Sequence, residues 1–185
     1  MTDLGTLRGF AERRGVDEDP TDLKAIRALA DASAFIRGYT HQQITLVEDE
    51  SFALDGTGRA GLILPQVPVV EICEVSTLDA ENTPTEVTSY RCDRAGILWR
   101  MDGYAWPIGH ANVVVSYDHG YDVVPADIAG VCYDLAAENY VATGAGEVTG
   151  ETIGNYQVTY AAESVGTSGL NEYCLRVLES YRVPQ

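Results

Sequence analysis

The stretch Val113-Val114-Val115-Ser116-Tyr117-Asp118-His119-Gly120-Tyr121-Asp122-Val123-Val124-Pro125-Ala126-Asp127-Ile128 changes its period partway along. Its first part is β-branched and aromatic, which suits a strand. Gly120 and Asp122 mark a turn, and Pro125 with Asp127 behind it opens a helix, where proline's missing N–H costs nothing and an acid meets the positive helix end. Upstream of this junction, from about 42 to 118, the apolar residues recur every second position. Downstream, over about 125–143, Ile128, Val131/Cys132, Leu135 and Tyr140 recur at three to four. The boundary between a β block and a helical part therefore falls at Gly120–Pro125.

Within the β block, Ile44, Leu46 and Ser51-Phe52-Ala53-Leu54 predict a hairpin turning at Glu48-Asp49-Glu50. Asp55-Gly56-Thr57-Gly58 is a turn cluster, and Leu62-Ile63-Leu64 is a short strand stopped by Pro65. Further strands follow at Val69–Leu78, around Val87 and Tyr90, at Ile97-Leu98-Trp99 and at Val113–Tyr117. On the N-terminal side, 20–38 predicts a helix with Asp19 as its cap, Pro20 at its first position and Gly38 as its stop, its face formed by Leu23, Ile26, Leu29, Ser33 and Ile36. Residues 1–18 are weakly helical because Gly5, Gly9 and Gly15 interrupt them. Residues 144–168 form a glycine-rich arm carrying the alternating set Ile153, Tyr156, Val158 and Tyr160, and 169–182 predicts a closing amphipathic helix. The fold class is α+β: a small bundle of three to four helices with an inserted antiparallel sheet or barrel-like block, in one domain spanning 1–185.

The formal net charge is −16, and no basic patch longer than Arg13-Arg14 breaks it. A protein that grips nucleic acid through phosphates needs such patches, so specific DNA or RNA binding is not expected. No apolar run approaches the ~20 residues of a membrane span, and Met1–Gly5 lacks the basic and apolar regions of an export signal. Cys73, Cys92, Cys132 and Cys174 show no CxxC spacing, so they are expected as buried free thiols, with no zinc.

No cofactor, metal or catalytic residue is assigned. His119 stands between Asp118 and Asp122, as a general base or metal ligand would, but the strand-to-turn reading accounts for it. The glycine clusters lack the GxGxxG and P-loop patterns, and no GxSxG or HExxH occurs. Trp99 is expected in the core of the β block; Trp106, between Gly103 and Pro107, fits a core or an interface equally.

Four segments, taken in order, resemble the head-to-tail adaptors of actinobacteriophages. They are Leu64-Pro65-Gln66-Val67-Pro68-Val69; Gly96-Ile97-Leu98-Trp99-Arg100 with Trp106-Pro107; Val113–Ile128; and Glu147–Tyr160, followed by a helix ending in Tyr181-Arg182. The resemblance covers about residues 20–183. The N-terminal helix and the run between Tyr160 and Gly169 depart from it. It implies a structural virion protein: a ring of twelve copies between the portal and the stopper or tail-completion proteins, lining the channel through which genome DNA passes without specific binding. It implies a place in the virion neck, reached from the host cytoplasm during assembly, with no membrane. It also implies portal docking by the C-terminal end, here Leu178, Tyr181, Arg182 and Val183, while Ile153, Tyr156, Val158 and Tyr160 would form an inter-subunit arm. The alternatives are another virion protein, or a β module binding carbohydrate or protein through exposed aromatics; a small hydrolase built on His119 is the weakest reading.

Overall fold

The computed structural model describes residues 3–142, 151–153, 156–158 and 172–183, and the chain divides into two units. One is helical and comprises residues 1–40 and 125–182; the other is built of strands over 41–124, together with the last residues from 183. The helices thus fall in one unit and the two larger antiparallel sheets in the other, as the α+β class requires.

The helical unit contains α1 (Leu7–Arg14), α2 (Leu23–Thr40), α3 (Ala126–Ala142) and α4 (Glu172–Ser180). Its buried residues include Phe10, Ala25, Ala28, Leu29, Ala32, Ile36, Ile128, Val131, Cys132, Ala136, Cys174 and Leu178. The small residues of α2 let α3 approach closely, and Ser33 hides its hydroxyl by donating to the Leu29 carbonyl at 2.7 Å. The cap of α2 is Asp22, not Asp19: its Oδ1 accepts from the N–H groups of Lys24 and Ala25, both at 3.0 Å. Asp19 instead closes a turn one step earlier, accepting from the Thr21 N–H at 2.8 Å. Nor does Gly38 stop the helix, which runs on to Thr40 and ends where His41 turns left-handed at φ +57°.

The glycines that weaken α1 as a sequence pattern have specific uses. Gly15 adopts φ +66° and caps the helix, its N–H reaching the carbonyls of Ala11 and Glu12. Gly5 and Gly9 lie under the Tyr133 ring of α3; a Cβ at Gly5 would stand 2.6 Å from that ring. Arg13 then ties α1 to α3 through both oxygens of Asp134, at 2.7 and 2.9 Å.

In the β unit, β1 (Val47–Gly56), β7 (Gly109–His119), β3 (Val69–Leu78) and β4 (Pro84–Glu86) form a four-stranded sheet in the order β1-β7-β3-β4. β2 (Gly61–Ile63), β6 (Ile97–Arg100) and β5 (Tyr90–Cys92) form a three-stranded one in the order β2-β6-β5. Both are open sheets and neither closes into a barrel. They share one core, made by Leu62, Leu64, Val69, Val75, Val87, Leu98, Trp106, Val113, Val115 and Tyr117. The hairpin expected to turn at Glu48-Asp49-Glu50 does not exist. Those residues lie inside β1, where the register against β7 shifts between Val47 and Glu50 and Asp49 takes φ +49°. A local left-handed residue with two acids around it reads as a turn in sequence, but here it makes a bulge.

A further pair, β8 (Glu151–Ile153) and β9 (Tyr156–Val158), forms a two-stranded antiparallel sheet. The remainder of the arm expected over 144–168 lies outside the described residues.

Candidate functional site

The parts of the segments picked out by resemblance that lie within residues 64–121 belong to the β unit, and each has a mechanical use there. The loop Leu64–Pro68 runs without regular structure and needs partners for its backbone. Buried Gln42 supplies two: its Nε2 donates to the Pro65 carbonyl at 3.0 Å and its Oε1 accepts from the Val67 N–H at 2.8 Å. Gln66 returns the arrangement toward the preceding segment, accepting from the Gln43 N–H at 2.9 Å and donating to the His41 carbonyl at 3.1 Å. The Tyr117 hydroxyl serves the third peptide, accepting from the Gln66 N–H at 3.0 Å and donating to the Gln66 carbonyl at 3.3 Å. Burial pushes the Tyr117 phenol well above its ordinary range, opposed by the Gln66 N–H.

His119 is fully buried at the end of β7, with its ring against Phe52 and Tyr117 at 6.0 and 5.4 Å. Its partner is neither Asp118 nor Asp122. Nε2 meets Oε2 of Glu50 at 2.6 Å, because the β1 bulge turns Glu50 onto the inward face beside Phe52 and Leu54. Asp118 points the other way, as strand alternation demands, and accepts from the Asp49 N–H at 2.8 Å and the Cys73 thiol at 3.5 Å. The next residue, Gly120, takes φ +92°, and a Cβ there would stand 2.8 Å from the Thr45 carbonyl carbon. That close approach lets Gly120 donate to the Pro68 carbonyl at 2.9 Å and Tyr121 to the Ile44 carbonyl at 2.8 Å. The Tyr-Asp-His-Gly-Tyr run is thus a fastener joining β7 to the 41–46 and 64–68 segments. An imidazole enclosed by aromatic rings offers no approach to a substrate.

The two tryptophans separate. Trp106 is fully buried and donates its indole N–H to the Leu98 carbonyl at 3.2 Å. Arg100 covers it, with the guanidinium 5.4 Å from the ring, and is itself held by Asp102 through Nε at 3.1 Å. Trp99, expected in the core, is instead 43% exposed. Adjacent strand residues face opposite ways, and Leu98 occupies the inward position; Trp99 lies over Gly61 on the outer face. The thiols also depart from expectation. Cys132 and Cys174 are buried, Cys92 is half-buried, and Cys73 is exposed. Burial, and after it the acids nearby, raises the Cys73 thiol and pushes Cys92 up to about 11, so neither is an activated nucleophile. Among the described residues, no three His, Cys, Asp or Glu side chains converge as a metal site, and no helix is long and apolar enough to cross a membrane.

Of the four C-terminal residues named for docking, Leu178 is fully buried and holds α4 to the helical unit. The Tyr181 hydroxyl donates to both oxygens of Asp127, at 3.0 and 3.1 Å. Arg182 is exposed, 3.8 Å from Glu179 and stacked 6.0 Å from the Tyr39 ring. Val183 is half-buried. In the arm, Ile153 ends β8 while Tyr156 and Val158 bound β9; Tyr160 lies outside the described residues. Sequence reading missed Glu50, Gln42 and Gln66. A glutamine pair beside a proline-interrupted apolar strand was the only signal for the last two.

No curated protein matches the chain by sequence. Among solved structures, the chain resembles a component of the neck of an empty gene transfer agent particle computed with C6 symmetry, at 19% identity and TM-score 0.57, over 100% of this chain and 95% of that one. It likewise resembles one in the neck of the native particle computed with C12 symmetry, at 20% identity and TM-score 0.58, over 100% and 93%. A third, from the virion of the native particle, matches at 19% and 0.58, over 100% and 94%. At such identities these likenesses speak for the fold. The family match speaks for descent: residues 3–183 fit the head completion proteins, and the chain belongs to that family.

Proposed function

We propose that this protein is a structural component of a phage-like particle's neck: a head-to-tail adaptor, one copy in a ring of twelve. The ring would join the portal to the stopper or tail-completion proteins and surround the channel through which the genome passes. The observation that carries this reading is the match to head completion proteins over residues 3–183. Within residues 64–121, the segments that carry the resemblance serve as fasteners in the fold, which suits a part selected for shape and contact. A net charge of −16 suits a channel wall along which DNA slides without sticking. In this reading the protein needs no cofactor and performs no catalysis. Arg182 and Val183 would reach the portal, with Leu178 and Tyr181 fixing the direction in which they leave the helical unit.

The test is the mass of the purified protein, alone and with its cognate portal, by size-exclusion chromatography with light scattering. A ring, or a monomer that joins the portal at fixed stoichiometry, is expected. A monomer that ignores the portal would sink the reading. It would favour a β module binding carbohydrate or protein, for which the exposed Trp99 and the 71% exposed Tyr104 are the supporting observation.

A further inference from the structure

The outer face of the smaller sheet carries an aromatic anchor with a cation in register beside it. Gly61, Trp99 and Arg91 stand opposite one another across β2, β6 and β5, so all three share a face. Leu62 and Leu98 take the inward positions in the shared core, which leaves Ile63, Ile97, Trp99 and Arg91 on the outside. Ile63 is 64% exposed and Trp99 43%. Gly61 makes room for the ring: a Cβ there would stand 2.9 Å from it, so the missing side chain lets Trp99 lie across β2. Tryptophan and arginine held in place at a surface are the residue types that dominate binding in protein interfaces.

The charge of this face runs against that of the unit around it. Residues 41–124 hold thirteen acids against four arginines. Arg100 is paired to Asp102, while Arg59, Arg91 and Arg94 are exposed and make no ion pair with any described residue. Arg59 stands two residues before Gly61, and Arg94 lies in the turn that joins β5 to β6. The acids adjoining the face are engaged: Asp93 accepts from the Ile97 N–H at 2.9 Å, and Asp102 accepts from Arg100 Nε at 3.1 Å. The face therefore offers positive charge beside an apolar centre, and it fits a partner that is acidic with a small apolar tip.

The same unit builds such a part. Its longest exposed run is Asp79–Glu86, the end of the β3–β4 hairpin. This run contains Asp79, Glu81 and Glu86, and residues 60–90 include no lysine or arginine. The Asp79 carboxylate accepts from the N–H groups of Glu81 and Thr83 at 3.0 and 2.8 Å, so the tip holds one shape without help from the core. Pro84, which has no N–H, opens β4, so this edge is poorly suited to strand addition and offers its side chains instead. Ala80 and Pro84 supply the apolar part, and the Glu81 side chain makes no ion pair with any described residue.

We infer that the outer face of the smaller sheet is the socket for the Asp79–Glu86 hairpin tip of a second copy of this chain, with Ala80 and Pro84 against Trp99 and Ile63 and with Glu81 toward Arg91. Socket and tip are different parts of one unit, so the contact runs head to tail and closes when repeated about a ring axis. The inference rests on the ring reading above and specifies its joint.

Four variants test it: Arg91→Glu, Glu81→Arg, the two combined, and Trp99→Ala. Arg91 and Glu81 are exposed and unpaired among the described residues, so their reversal leaves the monomer folded, with an unchanged Tm as the check. Ring formation, alone or on portal, is followed by light scattering against protein concentration. Each single reversal, and Trp99→Ala, is expected to raise the concentration needed for assembly about tenfold, with the combined reversal restoring it. Acrylamide quenching of tryptophan fluorescence gives a second readout on unaltered protein. Trp106 is fully buried, so the quenchable emission is that of Trp99, and it should fall on assembly. If wild-type rings form and the single variants assemble at unchanged concentration, or quenching is equal in monomer and ring, the socket assignment is overturned and the ring reading stands. A combined reversal that assembles no better than the single ones overturns the hairpin tip as occupant. Protection of Trp99 that needs a tail-side protein gives the face to that partner and overturns the assignment as well. If wild type forms no ring in either setting, the ring reading fails and the socket falls with it.

Discussion

Tyr117 combines two roles that pull its chemistry in opposite directions, and burial is the larger. Its hydroxyl bonds both the N–H and the carbonyl of Gln66, and its ring is buried. Burial disfavours the phenolate, so the folded protein holds this proton more tightly than the unfolded chain, whose tyrosines titrate near 10.0. The contribution of the neutral phenol is complete below that value. It declines as pH rises beyond it, because only the unfolded chain releases the proton. Tyr117→Phe should cost about 1–2 kcal/mol at neutral pH, since two loop groups lose their partner. Above pH 10 the difference between the proteins should shrink by up to ~1.4 kcal/mol per pH unit. Urea unfolding from pH 8 to pH 11 measures both; a constant difference would show that burial does not hold this proton. At this scale the sequence was a poor guide to pairing. His119 stood out beside Asp118 and Asp122, yet its partner Glu50 lies 69 residues away. A one-residue bulge in β1 selects that partner, and bulges leave no periodic trace.

Elements were more legible than their junctions. The switch of period at Gly120–Pro125 located the end of β7 and the start of α3, because a 2-residue and a 3.6-residue repeat cannot be mistaken over ten positions. The ends of α2 were misplaced by a few residues, since Asp19 and Asp22 are both good caps and only the tertiary context selects between them. In α1 the glycines argued against a helix by propensity, while the reason for them sits on another element. Tyr133 of α3 occupies the space of the missing side chains at Gly5 and Gly9, and its hydroxyl accepts from the Thr6 N–H at 3.3 Å. This reverses an ordinary rule. Gly→Ala inside an isolated helix gains roughly 0.8–1 kcal/mol. Gly9→Ala here should instead destabilise by about 1–3 kcal/mol, because the added methyl must displace the ring. Thermal unfolding checks the sign: a raised Tm would mean that α1 does not pack on Tyr133 as described.

For the whole molecule, the question is how a subunit presents a chain end without loosening itself. The end of α4 is tied inward by Leu178, by Tyr181 on Asp127, and by the Tyr39 hydroxyl on Glu179 at 3.2 Å. Beyond Tyr181, Arg182 is exposed. Removing residues 179–185 would therefore break the helical unit's own bonds and confuse folding with docking. Removing 183–185 alone leaves those bonds in place. The shorter deletion should keep the wild-type Tm, while Arg182→Glu in the same background should lose only the exposed contacts with Glu179 and Tyr39, worth well under about 1 kcal/mol. If the C-terminal end docks, both changes weaken binding to the cognate portal, and the combination should do so by about tenfold or more. If the doubly altered protein binds portal with unchanged affinity, the docking surface lies elsewhere on the subunit. The anchored α4 would then be a structural closure of the helical unit, with no part in reaching the portal.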